Sequence, residues 1–292
     1  MSMRKIPTLT AGAAIVALIL GALGVSGRER VEAAGRVVGY SHDSHYKAMR
    51  LEVGTPPPPP VNSPVIPTDA PAGWHTVFAD DFVGSALNRA RWFPYSGQAG
   101  GDADTTFSPT NVDVSGGHLR IEATPDPDQP GKWITGGVSN AHSLQMTYGE
   151  YLVRFRAQQG TGISYALLLW PSDNQSPPEI DFAEDNGADR KTMFSFLHYG
   201  ADNTQIKSTT RGDFTKWNVA GVKWTPGHIE YTLNGKVWMT IKGDEVPDEP
   251  MSLALQAQAW ACGASWETCP DASTPSDVQV DVDWVVGYAQ TG

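Results

Sequence analysis

From Trp74 onward the chain carries no amphipathic helical pattern longer than two turns. Instead, short runs of β-branched and aromatic residues recur between clusters of Gly, Pro, Asn and Asp. Candidate strands are Trp74–Phe78, His118–Ala123, Tyr148–Ala157, Ser164–Trp170, Glu179–Glu184, Thr192–Tyr199, Asn218–Trp224, His228–Leu233, Lys236–Ile241, Met251–Ala259 and Val278–Tyr288. Asn234-Gly235 between two of these runs is a hairpin signal. Many short strands without crossover helices pair antiparallel and bury their apolar faces by stacking, so the expected fold is an all-β sandwich. The last strand, Val278–Tyr288, is expected to return beside the first and close a sheet.

Upstream the texture differs. Arg4 and Lys5 precede an apolar run, Ala11–Val25, of about 15 residues, short of the ~20 that span a membrane. Residues 1–35 read as a signal peptide, with an uncleaved membrane anchor as the alternative. Val25-Ser26-Gly27 and Val31-Glu32-Ala33 both offer a cleavage site, and no Cys follows the run to carry a lipid. Residues 36–73 contain Pro56–Pro60 in a row, then Pro64, Pro67 and Pro71. Such a stretch favours extended chain and reads as a disordered spacer. Residues 74–292 remain as the folded domain. The protein is therefore expected outside the cell, tethered to its surface if the N-terminal segment is retained. Membrane contact is expected only in that case.

The formal charge of -11 comes from 21 Lys+Arg against 32 Asp+Glu. With no basic run to offset it, nucleic acid is excluded as a partner. Cys262 and Cys269 are expected to form a disulfide in an oxidising compartment, or to be ordinary thiols in a reducing one. They make no zinc-type cluster. Ten Trp residues are many for a chain with 18% charged residues. More than half are expected in the core, and exposed ones stack well on the apolar faces of sugars.

Chemistry concentrates in Pro178-Glu179-Ile180-Asp181-Phe182-Ala183-Glu184. On a strand, Glu179 and Asp181 share one face while Ile180 and Phe182 point into a core. Strict alternation would bury Glu184 among those apolar residues, which is costly. One extra residue returns it to the acidic face, so a β-bulge is expected at Phe182–Ala183. Three readings stay open: catalysis, a calcium site, or a solvated acidic edge. The apolar run Ala166–Trp170 places this strand centrally, and calcium usually draws on loop oxygens. Retaining glycoside hydrolysis needs two carboxyl groups about 5–5.5 Å apart, a gap the tips of Glu179 and Glu184 can close on a concave sheet.

The run Glu179–Glu184 resembles the E-[IL]-D-x-x-E signature of glycoside hydrolase family 16, in the bulged form of its laminarinase-like group. The resemblance extends to Asp80-Asp81-Phe82 with Leu87 and Trp92, to Gly136-Gly137-Val138, and to Tyr148-Gly149-Glu150-Tyr151-Leu152-Val153-Arg154-Phe155-Arg156. It continues through Leu197-His198-Tyr199-Gly200, Asp213–Trp217 and Val282-Asp283-Trp284-Val285. It implies a concanavalin A-like jelly roll: two curved antiparallel sheets with a concave substrate cleft. It also implies retaining, endo-acting hydrolysis of a β-linked polysaccharide with no cofactor. Glu179 is then nucleophile, Asp181 helper and Glu184 acid/base. β-1,3-glucan comes first among substrates, with a galactan and mixed-linkage glucan open. A transglycosylase of the same fold and a non-catalytic carbohydrate-binding surface protein are the alternatives. The chain departs from the family where Gly162–Trp170 lacks an internal Trp-Pro and where Trp217-Asn218 replaces Trp-His.

Trp170, Gln256 and Trp260 are candidate substrate contacts, because each lies on the polar face of its strand or near the cleavage site of the family. His198 is a fourth, set against a core reading beside Phe194 and Phe196. Trp133 and Trp266 are candidates for outer subsites; Trp224 and Trp284 read as core. Asp283 is a candidate ligand for a structural calcium, as in some relatives. The chain is expected to act as a monomer.

Overall fold

The structure, a computed structural model, describes residues 64–100, 103–264 and 268–292. The N-terminal apolar run, the five-proline run and Trp266 lie outside them. The described strands are β1 (Trp74–Asp80), β2 (Phe93–Pro94), β3 (Gly97–Gln98), β4 (Thr105–Phe107), β5 (Val112–Ser115), β6 (His118–Pro125), β7 (Trp133–Thr135), β8 (Gly137–Ser139) and β9 (Gly149–Ala157). There follow β10 (Ile163–Pro171), β11 (Glu179–Glu184), β12 (Thr192–Tyr199), β13 (Thr204–Arg211), β14 (Asn218–Thr225), β15 (His228–Leu233), β16 (Lys236–Lys242), β17 (Met251–Ala259) and β18 (Val278–Gln290). A single 3-10 turn, Pro109–Asn111, is the helical exception among the described residues.

Two sheets result. The smaller runs β13-β12-β11-β10-β17-β8-β2; the larger runs β16-β15-β14-β9-β18-β6-β7-β4-β3, with β1 beside β18 and β5 beside β6. Every pairing is antiparallel except β4 with β7. The expected closure holds: β18 pairs both β1 and β6. Asn234 (φ 50°) and Gly235 (φ 75°) form the two-residue turn joining β15 to β16. Both residues adopt left-handed φ, which Asn and Gly tolerate best.

Alternation explains the layers. In β6, Leu119, Ile121 and Ala123 are buried, while the residues between them face outward, half-buried. Their apolar face meets Leu167, Ile180, Phe182 and Leu253 of the smaller sheet in one core. β10, β11 and β17 are buried along their whole length, so they are covered on both faces. The second cover comes from the segment that contains β2, β3 and β4. Tyr95, Ala99 and Phe107 pack on Ala166, Leu168, Trp170 and Ala254, on the side away from the core.

Two further features were not legible beforehand. β13 (Thr-Gln-Ile-Lys-Ser-Thr-Thr-Arg) is a polar edge strand with no apolar alternation to announce it. Ile66 and Ala70, in the stretch expected as spacer, pack with Trp74, Leu152, Val219 and Trp284 on the outside of the larger sheet.

Candidate active site

β11 carries the bulge where its sequence requires one. Leu167 pairs with Ala183 and Leu168 with Asp181, so Phe182 has no partner on β10. Across β12, Asp181 pairs with Phe196 and Glu184 with Phe194, leaving two residues opposite Ser195. The Ser195 hydroxyl donates to the carbonyl of Phe182 (2.9 Å) and holds the irregular backbone. Ile180, Phe182 and Ala183 all enter the core. Glu179, Asp181 and Glu184 consequently share the outer face with Ala166 and Leu168.

The acids sit in a low-dielectric setting, each less than 4% exposed. Glu179 Oε2 accepts from the Ser176 hydroxyl at 2.9 Å. Burial first, and the adjacent negative charge of Asp181 second, hold the Glu179 carboxyl well above its ordinary range. Asp181 Oδ2 lies 3.3 Å from His198 Nε2. The opposite ring nitrogen, Nδ1, is 2.8 Å from Asn203 Oδ1, in the turn between β12 and β13. Burial alone pushes the imidazole down. The contacts with Asp181 and Asn203 outweigh it and hold the His198 pKa above its ordinary value. His198 therefore belongs to the acidic site and not to the inter-sheet core. Glu179, Asp181 and His198 offer ligand atoms that all lie within 4.8 Å of one another, so a cation can be held there.

Residue 185, immediately after Glu184, is anchored by a buried ion pair. Arg190 Nη1 contacts both oxygens of Asp185 at 2.6 Å. The rest of the guanidinium donates to the carbonyls of Gln158 (2.7 Å) and Ile163 (2.8 Å). Arg190 adopts φ 58° to reach this position. Nothing in the local sequence flags this clamp, because its partners come from three segments. A buried arginine surrounded by turn residues is a signal only after the fold is known.

The candidate sugar contacts converge on the same face, yet they are covered. Trp170 is 3% exposed, His198 2%, Gln256 0% and Trp260 2%. Trp170 Nε1 donates to Asn174 Oδ1 at 2.7 Å, and Trp260 Nε1 to the Ser164 hydroxyl at 2.7 Å. Gln256 Nε2 donates to Gln258 Oε1 at 2.9 Å. A Cβ on Gly137 would meet the Tyr95 ring at 2.5 Å and Gln256 Cβ at 3.1 Å, so only glycine permits this close cover. Toward β12 and β13 the face opens. Phe194 is half-buried, while Lys207 and Thr209 are exposed. The rings of Phe194 and Phe196 stack with centroids 6.1 Å apart.

Two other expectations resolve differently. Trp133, considered for an outer subsite, is buried in the core, because β7 pairs with both β4 and β6. Trp224 and Trp284 are buried as expected, Trp284 in a smaller apolar cluster on the outside of the larger sheet. Asp283 faces Arg154 at 2.5 Å and His118 at 3.2 Å. Arg154 already pairs with its charge, and neither neighbour supplies the further oxygens a calcium ion needs. Cys262 and Cys269 are joined as a disulfide.

An antiparallel β-sandwich with two glutamates and an aspartate on the outer face of one sheet is an arrangement that suits a retaining glycosidase. The family model of glycosyl hydrolases family 16 matches residues 99–286. The chain belongs to that family. It is 24% identical over 279 residues to glucan endo-1,3-beta-glucosidase A1 of Niallia circulans, covering 79% of this chain and 39% of that one. It therefore spans about two fifths of that relative's length. The fold matches the catalytic domain of an endo-1,3-beta-glucanase (laminarinase) from Thermotoga petrophila with a TM-score of 0.67, at 20% identity over 75% of this chain and 99% of the other. The endo-beta-1,3-glucanase of Pyrococcus furiosus matches with a TM-score of 0.67, at 22% identity over 75% and 95%.

Proposed function

We propose that this protein is an extracellular, retaining endo-hydrolase of β-glucan, with β-1,3-glucan as its preferred polymer. The observation that carries this reading is the bulge at Phe182–Ala183, which puts two glutamates on one face with an aspartate between them. Glu179 attacks the anomeric carbon while Glu184 gives its proton to the departing glycosidic oxygen. Glu184, now a carboxylate, takes a proton from water. That water attacks the anomeric carbon and breaks the bond to Glu179. Asp181 lies beside the nucleophile, with its Oδ2 3.3 Å from His198 Nε2. The names of the relatives support a β-glucan. The positively flanked apolar run at the N-terminus and the disulfide support an oxidising, extracellular location.

The test is reducing-sugar release from laminarin, lichenan, agarose and arabinogalactan by the purified chain. Release from laminarin above the other three is expected. Preference for agarose would move the substrate to a galactan, and no release from any polymer would sink the enzyme reading. Location is tested by recovering the protein from culture fluid; retention in the cytoplasm would count against export.

Two more outcomes follow from the geometry. The acid limb of kcat/KM reports the free enzyme's nucleophile. Asp181→Asn removes the negative charge that raises the Glu179 pKa, so the limb should move to lower pH. A limb that stays in place, or moves up, means that Asp181 does not tune Glu179. Phe194 is paired with Glu184 across the strands and forms an accessible apolar platform for a sugar ring. Phe194→Ala should raise KM up to about tenfold at nearly constant kcat, the scale of one aromatic contact. A fall in kcat alone would place Phe194 outside the binding surface.

A further inference from the structure

We propose that Glu179, Asp181 and His198 also form a site for one divalent transition cation of the zinc class, and that an ion bound there silences the enzyme. The silencing rests on the proposed function; the binding does not. Two carboxylates and an imidazole present ligand atoms within 4.8 Å of one another. Zinc bonds of about 2.0–2.2 Å place neighbouring ligands of a tetrahedral site about 3.3–3.6 Å apart. Side-chain adjustments of about an ångström close the site.

Two independent features point to a cation. Glu179 Oε1 and Asp181 Oδ1 are buried with no aligned hydrogen-bond donor, on side chains that are 0% and 1% exposed. Buried acceptors in that state are costly, and a cation relieves them. The second feature is the histidine. Asn203 Oδ1 can only accept, so His198 Nδ1 carries the hydrogen of that 2.8 Å contact. Nε2 therefore faces Asp181 Oδ2, 3.3 Å away. In the neutral ring that nitrogen presents a lone pair to an anionic oxygen, which repels it unless a cation lies between them. A proton is one such cation and a metal ion is another. A histidine that donates its second ring N–H to an oxygen is also oriented as metal-binding histidines are. The imidazole selects zinc or copper over calcium and magnesium, which favour oxygen ligands throughout.

An ion here takes the lone pairs that Glu179 needs for attack. Substrate and metal then exclude each other.

The experiment is isothermal titration of the full-length protein with zinc chloride at neutral pH in a non-chelating buffer. It is repeated with calcium chloride and with the His198→Gln and Asn203→Leu variants. The Asn203 change leaves all three ligands in place; it frees the tautomer and orientation of the imidazole and adds strain at a left-handed φ of 54°, so its fold is read by circular dichroism as well. Should His198→Gln fail to fold, as read by circular dichroism, Asn203→Leu carries the comparison. One zinc per chain is expected, with affinity about tenfold or more weaker in either variant and calcium weaker still. No zinc binding by the unmodified protein overturns the inference, and so does zinc binding by the variants as tight as by the unmodified protein, or calcium binding as tight as zinc. Zinc binding in a protein that cleaves no glycan keeps the site and removes the proposed function. Glycan cleavage without zinc binding does the reverse.

Discussion

Glu179→Gln should abolish hydrolysis, with kcat lower by about 10⁴-fold or more, while the protein becomes more stable. The amide matches the carboxylate in shape but cannot attack the anomeric carbon, and losses of this size accompany removal of a covalent nucleophile. The gain in stability has a separate cause. Glu179 is fully buried beside Asp181, and both burial and that neighbouring charge raise its pKa above its ordinary value. A carboxyl with a raised folded-state pKa binds its proton more tightly in the folded than in the unfolded chain. Its contribution to stability is therefore undiminished at low pH and falls as pH rises from the ordinary carboxylate range toward the folded pKa. The variant lacks this loss. Denaturant unfolding should show little difference between the two proteins at low pH, with the variant more stable at neutral pH. A variant that retains a tenth of the activity would remove Glu179 from the nucleophile's role. Equal stability at neutral pH would mean that the carboxyl is not strained by its surroundings.

Arg190→Met should cost about 3–5 kcal/mol of stability, the scale seen when one partner of a buried ion pair is removed. Asp185 would be left charged in a site where its carboxyl is 2% exposed. The carbonyls of Gln158 and Ile163 would also lose their donors. Adding Asp185→Asn to Arg190→Met should recover part of the loss, because the uncompensated charge is gone while the two carbonyls stay unsatisfied. The denaturant midpoint reads both effects. A cost below about 1 kcal/mol, or a double variant less stable than the single, would show that the clamp is not a buried charge pair of the kind described. Because Asp185 follows Glu184 directly, Arg190→Met should also lower kcat at temperatures where the fold persists.

The site was legible in sequence because its main constraint is local. Glu179, Asp181, Ile180 and Phe182 alternate on one strand, and Glu184 falls out of step. Only a bulge keeps that carboxylate out of the core, and Phe182–Ala183 supplies it. The strands were legible for a related reason, since a buried face imposes its period on the residues that form it. β13 escaped notice because it buries little: four of its eight residues are exposed.

Long-range partners escaped for the opposite reason. His198 shares a strand face with two phenylalanines, so alternation alone could not separate a core position from an acidic one. Its role followed from β12 lying beside β11 and from the turn that brings Asn203 to its ring. Trp170, Gln256 and Trp260 stand on the expected face, but whether they meet solvent depends on residues 93–107 crossing over them. Asp283 was a reasonable calcium ligand until Arg154, 129 residues away in the chain, proved to be its partner. The sequence by itself determined the all-β class, the strand that bears the acids and the bulge that aligns them, because each follows from alternation within a few residues. The tertiary structure alone decided which charges are paired, which faces are covered and which part of the outer face stays exposed, because those depend on contacts between segments that no local pattern encodes.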